Sequence, residues 1–247
     1  PDAPRHEGSP ALFPLRDENP TELTPVVTFV FIAMNTAVWL LVQGAGGAGF
    51  LESLCTYGAI PANLAGMLSA GAPLELAPEM ECRVGGLGWG TVVTSMFLHG
   101  GWGHLLGNMW FLWVFGNNIE DSMGHLRYVA FYLLCGVAAA AAHFATDPAS
   151  TVPTVGASGA ISGVMGAYLV LYPRVKVQTF IFLVFYVTVI ALPAWVLLLE
   201  WLVIQVVAGV GTLGAAEGGG IAFWAHVRGF VAGAVGVQLF PRPHMVA

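Results

Sequence analysis

Residues 128–144 read YVAFYLLCGVAAAAAHF, a run without a single Asp, Glu, Lys or Arg. Such a stretch approaches the about 20 apolar residues that a helix needs to cross roughly 30 Å of hydrocarbon. It is apolar on every side, so no face is left for water and lipid is the solvent that suits it. In lipid only helices and closed barrels satisfy the backbone. A barrel strand alternates in hydrophobicity over about ten residues, and this run is continuous, so a membrane-spanning helix is the reading. Working outward, comparable runs of Ala, Val, Leu, Phe and Gly cover residues 25–43, 98–115, 156–172, 179–207 and 223–240, which predicts six spans. Composition agrees: 57% of the 247 residues are hydrophobic and 9% are charged, against about 25% charged in soluble domains. The expected fold class is an all-α membrane protein, a six-helix bundle.

The segments between the runs set the organisation. Residues 1–24 are polar and rich in Pro and read as a short N-terminal tail, residues 25–241 as one six-span domain, and residues 242–247 as a C-terminal tail. No cleavable signal pattern precedes the first span, which is expected to be retained. Residues 44–88 are too apolar for a disordered linker and too broken by Pro61, Pro73 and Pro78 for a span, so an ordered interfacial loop between spans one and two is predicted. Short cytoplasmic loops are enriched in Lys and Arg. With both termini cytoplasmic, Arg5, Arg16, Arg127, Arg174, Lys176 and Arg242 fall inside, Arg83 falls outside, and Arg228 lies within the last span. The fifth run exceeds one crossing, so its C-terminal part is expected to tilt or project, with a kink at Pro193. Of three cysteines, Cys55 and Cys82 share the long loop; they are either a disulfide in an oxidising compartment or two unpaired small residues. The net charge of −6 contains no basic run, so nucleic acid is excluded as a partner. No Cys/His spacing or carboxylate cluster resembles a metal site, so neither metal nor cofactor is expected.

Polar side chains inside a span are costly and are candidates for function by default. The second span carries FLHGGWGHLLGNMW, with His99, His104 and Asn108; His104 and Asn108, four apart, share a helix face. The fourth opens GASGAISGVMGAY, placing Ser158 and Ser162 among Gly156, Gly159, Gly163 and Gly166. The sixth holds His226 in FWAHVRGFVAGAVG, with Gly229 and Gly233 on its own face. Taken singly, each motif also reads as helix packing: small residues let helices approach, and polar groups bond across them. Taken together, a serine, a histidine and a His/Asn donor pair on three helices are the parts of an acyl-transfer site.

In order and spacing these motifs resemble those of the rhomboid intramembrane serine proteases over nearly the whole chain. The family's H-x-x-x-N corresponds to His104 and Asn108, its preceding histidine to His99, and its G-x-x-x-E-x-x-x-G to Gly116, Glu120 and Gly124. The nucleophile motif corresponds to Gly156, Ser158 and Gly159; the base motif to Ala225, His226, Gly229 and Gly233; and Pro193-Ala194-Trp195 is similar to bacterial members. The chain departs at Gly90 and Thr91, where many members have Trp-Arg, and at Arg228, where a small residue is usual. Arg228 lies roughly opposite His226 on the helix and is expected to snorkel toward headgroups or water.

The resemblance implies an intramembrane endopeptidase of the bacterial inner membrane, cutting transmembrane protein substrates with Ser158 as nucleophile and His226 as base. No acidic residue stands where it could orient the histidine, so a dyad is expected rather than a triad. His104, Asn108 and the Ser158 N–H are candidate oxyanion donors, His99, Gly156 and Ser162 are candidate substrate-cavity residues, and Glu120 is expected to anchor the second loop. The site should open to the outer face, with residues 209–220 as a candidate cap and the fifth segment as a candidate gate from lipid. The rival is a catalytically weak or inactive rhomboid-like protein that binds transmembrane clients. A transporter is disfavoured, since no inverted repeat or broken-helix pair is legible. Oligomeric state is not written in the sequence.

Overall fold

The structure, a computed structural model, describes residues 11–77, 80–183, 186–211 and 221–240. Its elements run β1 (Ala11–Asp17), α1 (Val26–Leu41), α2 (Phe50–Tyr57), α3 (Pro61–Leu64), β2 (Pro73–Ala77), β3 (Met80–Arg83), α4 (Thr91–Thr94), α5 (Trp102–Met123), α6 (His125–Thr146), α7 (Ser158–Leu171), β4 (Lys176–Leu183), β5 (Tyr186–Pro193), α8 (Ala194–Gly211) and α9 (Ile221–Gly236). Helices dominate, as expected for an all-α membrane protein. By length and composition α6 and α8 are the two described helices able to cross a membrane; α1 and α7 are apolar but shorter.

Two sheets were not anticipated. The fifth apolar run begins as a hairpin, β4 with β5, and becomes helical only at Ala194. The excess length therefore sits at its N-terminal end rather than its C-terminal end, and Pro193 closes a strand instead of kinking a helix. TFIFL and YVTVIALP are dominated by β-branched and aromatic residues, which suit a pleated ribbon as well as a helix. The supposed N-terminal tail supplies the third strand: β1 pairs antiparallel with β4, giving the order β1-β4-β5. Trp110 Nε1 donates to Pro14 O at 2.6 Å, and Asp17 Oδ2 accepts from Tyr168 OH at 2.6 Å and from Asn118 Nδ2 at 2.5 Å. Burial pushes the Asp17 carboxyl up to about 6, against the lowering effect of its Tyr168 hydrogen bond. The second helix of the sequence reading also shifts, starting at Trp102 and running on to Met123.

Between α1 and α5 the chain folds on a small core of Cys55, Ile60, Leu74 and Val84. Cys55 and Cys82 are joined by a disulfide there, with Cα atoms 6.3 Å apart. At the other end of α1, Pro25 offers no side-chain cap. The missing acceptor comes from α5: fully buried Glu120 accepts from Val27 N and Thr28 N at 2.8 Å each and from Thr28 Oγ1 at 2.7 Å. It also accepts from His125 Nδ1 at 2.6 Å, so it holds the turn into α6 as well as the start of α1.

The contact that positions everything else is α7 against α9. A Cβ added at Gly229 would lie 2.2 Å from Gly159 O, and one at Gly233 would lie 1.9 Å from Gly163 O. Backbone thus meets backbone, the close approach that small residues permit between membrane helices. Because Gly159 pairs with Gly229 and Gly163 with Gly233, the two helices run parallel in register. Ser158, next to Gly159, and His226, one turn before Gly229, therefore stand at nearly one level, and α9 extends beyond the start of α7.

Candidate active site

Ser158 is the first residue of α7 and His226 lies one turn ahead of Gly229 on α9. The parallel glycine register consequently brings both to the same end of the helix pair. Both line one cavity of about 200 Å³, together with His104, Asn108 and Ser162. A larger apolar cavity of about 270 Å³ lies against α6, lined by Trp89, Val93 and Phe144 among others, and contains no serine.

Gly156 sets up the approach to Ser158. Its φ is +122°, a conformation that favours glycine, and a Cβ there would lie 2.7 Å from His104 Nε2. Its N–H is held by Ser95 O at 2.9 Å. The His104 ring is thereby seated directly on the turn that delivers the serine. Ala157 is the N-cap, so the N–H of Ser158 belongs to the first turn, which has no intrahelical partner and carries the positive end of the helix dipole.

The donors can be assigned atom by atom. Gly100 N donates to His104 Nδ1 at 3.2 Å; an accepting Nδ1 carries no hydrogen in the neutral ring, which places the proton on Nε2, the edge facing Gly156. Asn108 is 7% exposed and, among the described residues, its Nδ2 has no partner. A buried amide without an acceptor is costly, and this one opens on the cavity. His99 does not line the cavity. It is fully buried edge-on to His104, with ring centroids 5.2 Å apart, and is clamped through its backbone, which donates to Gln43 Oε1 and accepts from Gln43 Nε2 at 2.8 Å each. Gly156 likewise borders His104 rather than the open space, whereas Ser162 lines it and donates to Ser158 O at 2.6 Å.

Two lining residues that meet His226 were missed by the sequence reading. Gln205 of α8 accepts from His226 Nδ1 through Oε1 at 2.8 Å, and Trp201, one turn earlier, lies over the same imidazole with ring centroids 6.0 Å apart. A glutamine within an apolar span was the signal available. Arg228 turns away from the cavity: its Nη1 donates to Ala142 O at 2.8 Å and Thr146 Oγ1 at 3.0 Å, at the C-terminal end of α6, where the helix dipole favours a cation. Among the described residues no hydrogen bond joins Ser158 Oγ to His226; catalytic hydrogen bonds commonly tighten only once substrate is bound. Residues 212–220, which hold most of the candidate cap, lie outside the described residues.

Against known proteins, residues 87–242 match the Rhomboid domain family. Similar proteins include Rhomboid protease GluP of Bacillus subtilis (strain 168), 31% identical over 145 residues, which are 59% of this chain and 24% of that protein. Putative rhomboid protease YdcA of the same organism is 36% identical over 81 residues, 33% of this chain and 40% of that protein. Rhomboid-like protease 5 of Toxoplasma gondii is 34% identical over 146 residues, 58% of this chain and 15% of that protein. The chain spans less than half the length of each of these relatives.

Proposed function

The chain belongs to the rhomboid family, whose members are integral membrane proteins, and from that premise we propose that it is an intramembrane serine endopeptidase cutting peptide bonds in or near transmembrane segments. The observation that carries this reading is the glycine-on-glycine register of α7 and α9, which supports Ser158 as nucleophile and His226 as general base of one cavity. A serine hydroxyl is a weak nucleophile until a neighbouring base takes its proton, and neutral imidazole suits that role. The Ser158 O–H bond breaks as its proton passes to His226 Nε2, while Oγ bonds to the scissile carbonyl carbon. The C=O electron pair moves onto oxygen. That oxyanion meets His104 Nε2–H, Asn108 Nδ2 and the Ser158 N–H, donors fixed before the charge develops. The imidazolium then gives its proton to the leaving amine, and water repeats the sequence on the acyl-enzyme.

In this account the bundle crosses the inner membrane of a bacterium six times, with both termini cytoplasmic and the cavity open to the outer face. Two independent features favour that orientation. Six of the eight Lys and Arg residues fall on the cytoplasmic side, and the disulfide lies in the loop assigned to the opposite side, where an oxidising compartment preserves it. The substrates are helical segments that unwind to expose a carbonyl, reaching Ser158 past α8. Arg228, a charged residue where a small one is usual, engages α6 and leaves the cavity clear, which supports cutting over client binding alone.

The test uses the purified chain in liposomes with a single-span substrate. Cleavage that disappears in both Ser158→Ala and His226→Ala is the expected result. Equal product from Ser158→Ala excludes this nucleophile, and capture of substrate without product from any form establishes the client-binding alternative.

A further inference from the structure

α8 touches the imidazole of His226 twice, one helical turn apart: Trp201 over the ring face and Gln205 at Nδ1. Residues four apart share a helix face, so this pair is a single surface presented to one side chain. Gln205 is 8% exposed, and an amide in an apolar span demands a partner. Among the described residues its acceptor oxygen meets only His226 Nδ1, and it is satisfied there when that nitrogen carries the hydrogen. In the neutral ring the other nitrogen, Nε2, is then a bare lone pair.

We propose that Gln205 is a positioning residue for the reaction, holding His226 in the Nδ1–H tautomer and the ring rotation that leave Nε2 to receive the Ser158 proton. This rests on the assignment of Ser158 and His226 as nucleophile and base. In a soluble serine hydrolase a buried carboxylate performs that service. Here a neutral amide does it, at a smaller desolvation cost within a membrane helix. The bland alternative is an interhelical hydrogen bond that merely packs α8 on α9.

Few other titratable groups bear on His226. His104 of α5 acts on it from across the cavity, and Glu200 of α8 is not among its interactions. On α9 itself Arg228 reaches to α6, whose His143 feels that guanidinium.

The experiment takes the full chain in liposomes with a single-span substrate, and compares wild type with Gln205→Leu and Gln205→Glu from about pH 5 to about pH 9, the range in which histidine titrates. Gln205→Leu should lower kcat about 10- to 100-fold with little change in KM, the scale of an orienting hydrogen bond lost. Gln205→Glu keeps an acceptor at Nδ1 and adds negative charge beside the imidazolium. It should restore turnover above Gln205→Leu and move the acid limb of the pH profile upward by about one unit or more. A packing role predicts lowered thermal stability in both variants, with no recovery of turnover in Gln205→Glu over Gln205→Leu beyond what its folded fraction gives. Wild-type turnover in Gln205→Leu, or an unmoved acid limb in Gln205→Glu, overturns the proposal. Nitrogen-15 NMR of histidine-labelled protein reads the tautomer directly, whether or not any substrate is cut. Protonated Nδ1 in wild type, passing to a tautomer mixture in Gln205→Leu, is expected; protonated Nε2 in wild type overturns the proposal. Absence of cleavage by wild type, by contrast, counts against the protease assignment and leaves the tautomer measurement to decide the role of Gln205.

Discussion

Replacing Gly229 by Ala inserts a single methyl group where α9 meets α7. The added Cβ would sit 2.2 Å from Gly159 O, about 1.2 Å closer than the 3.4 Å at which ordinary van der Waals contact begins. The obstacle is backbone, so no side chain can swing aside, and the helices must separate by roughly that amount. Gly159 adjoins Ser158 and Gly229 lies one turn from His226, so the separation falls almost entirely between nucleophile and base. A misplacement of about 1 Å at reacting atoms costs on the order of 100-fold in rate, while overpacking of this kind costs about 1–3 kcal/mol of stability. Gly229→Ala should therefore remain folded and lose turnover by about two orders of magnitude. Gly86→Ala serves as control, because a Cβ there meets nothing within 4 Å, and should cleave like wild type. The assay is the initial rate on a single-span substrate in liposomes, alongside the thermal midpoint of each variant. A folded Gly229→Ala protein with undiminished turnover would refute the claim that backbone contact between α7 and α9 sets the distance from serine to histidine.

Further outcomes follow from the parts that hold the bundle. Glu120→Leu leaves Val27 N, Thr28 N and Thr28 Oγ1 without an acceptor and should cost about 3–5 kcal/mol, with Glu120→Gln costing less in the same denaturation measurement. Breaking the Cys55–Cys82 bridge, which closes a separation of 27 residues, should lower stability by about 3–4 kcal/mol, read as a fall in thermal midpoint for Cys55→Ser together with Cys82→Ser. The Asp17 carboxyl titrates at about 6 in the fold, above its unfolded value near 3.9, so its contribution is complete below the unfolded value and is lost as pH rises through about 6. Hydrogen exchange across β1, corrected for intrinsic rates, should accelerate between about pH 4 and about pH 6 and level off above, and Asp17→Asn should flatten that dependence.

The glycine contacts around the candidate site were more legible in the sequence than the strands, and the reason is physical. Gly156, Gly159, Gly229 and Gly233 are required by contacts in which a methyl group would collide with backbone or with the His104 ring. Such requirements leave a fixed mark at fixed spacing. The edges of the fifth run left none: residues 179–193 are apolar and β-branched, a composition that a buried helix and a strand ribbon share, and periodicity alone does not separate them. The partner that settles the matter, β1, lies more than 150 residues earlier and read as a polar tail. His99 shows the opposite difficulty. The resemblance implied a cavity residue, yet Gln43 fixes its backbone and its ring supports His104 from behind. Gln205 was visible as a polar residue among apolar ones, but its meaning depends on which nitrogen of His226 it meets, a fact of three dimensions.

The most direct measurement is covalent labelling of the purified protein with a fluorophosphonate, located by peptide mass spectrometry in wild type and in His226→Ala. Attachment at Ser158 in wild type, slowed at least 100-fold when the imidazole is removed, is the outcome expected of a serine activated by that base. Attachment at another residue, or at Ser158 with equal speed in both proteins, would contradict the pairing of Ser158 with His226.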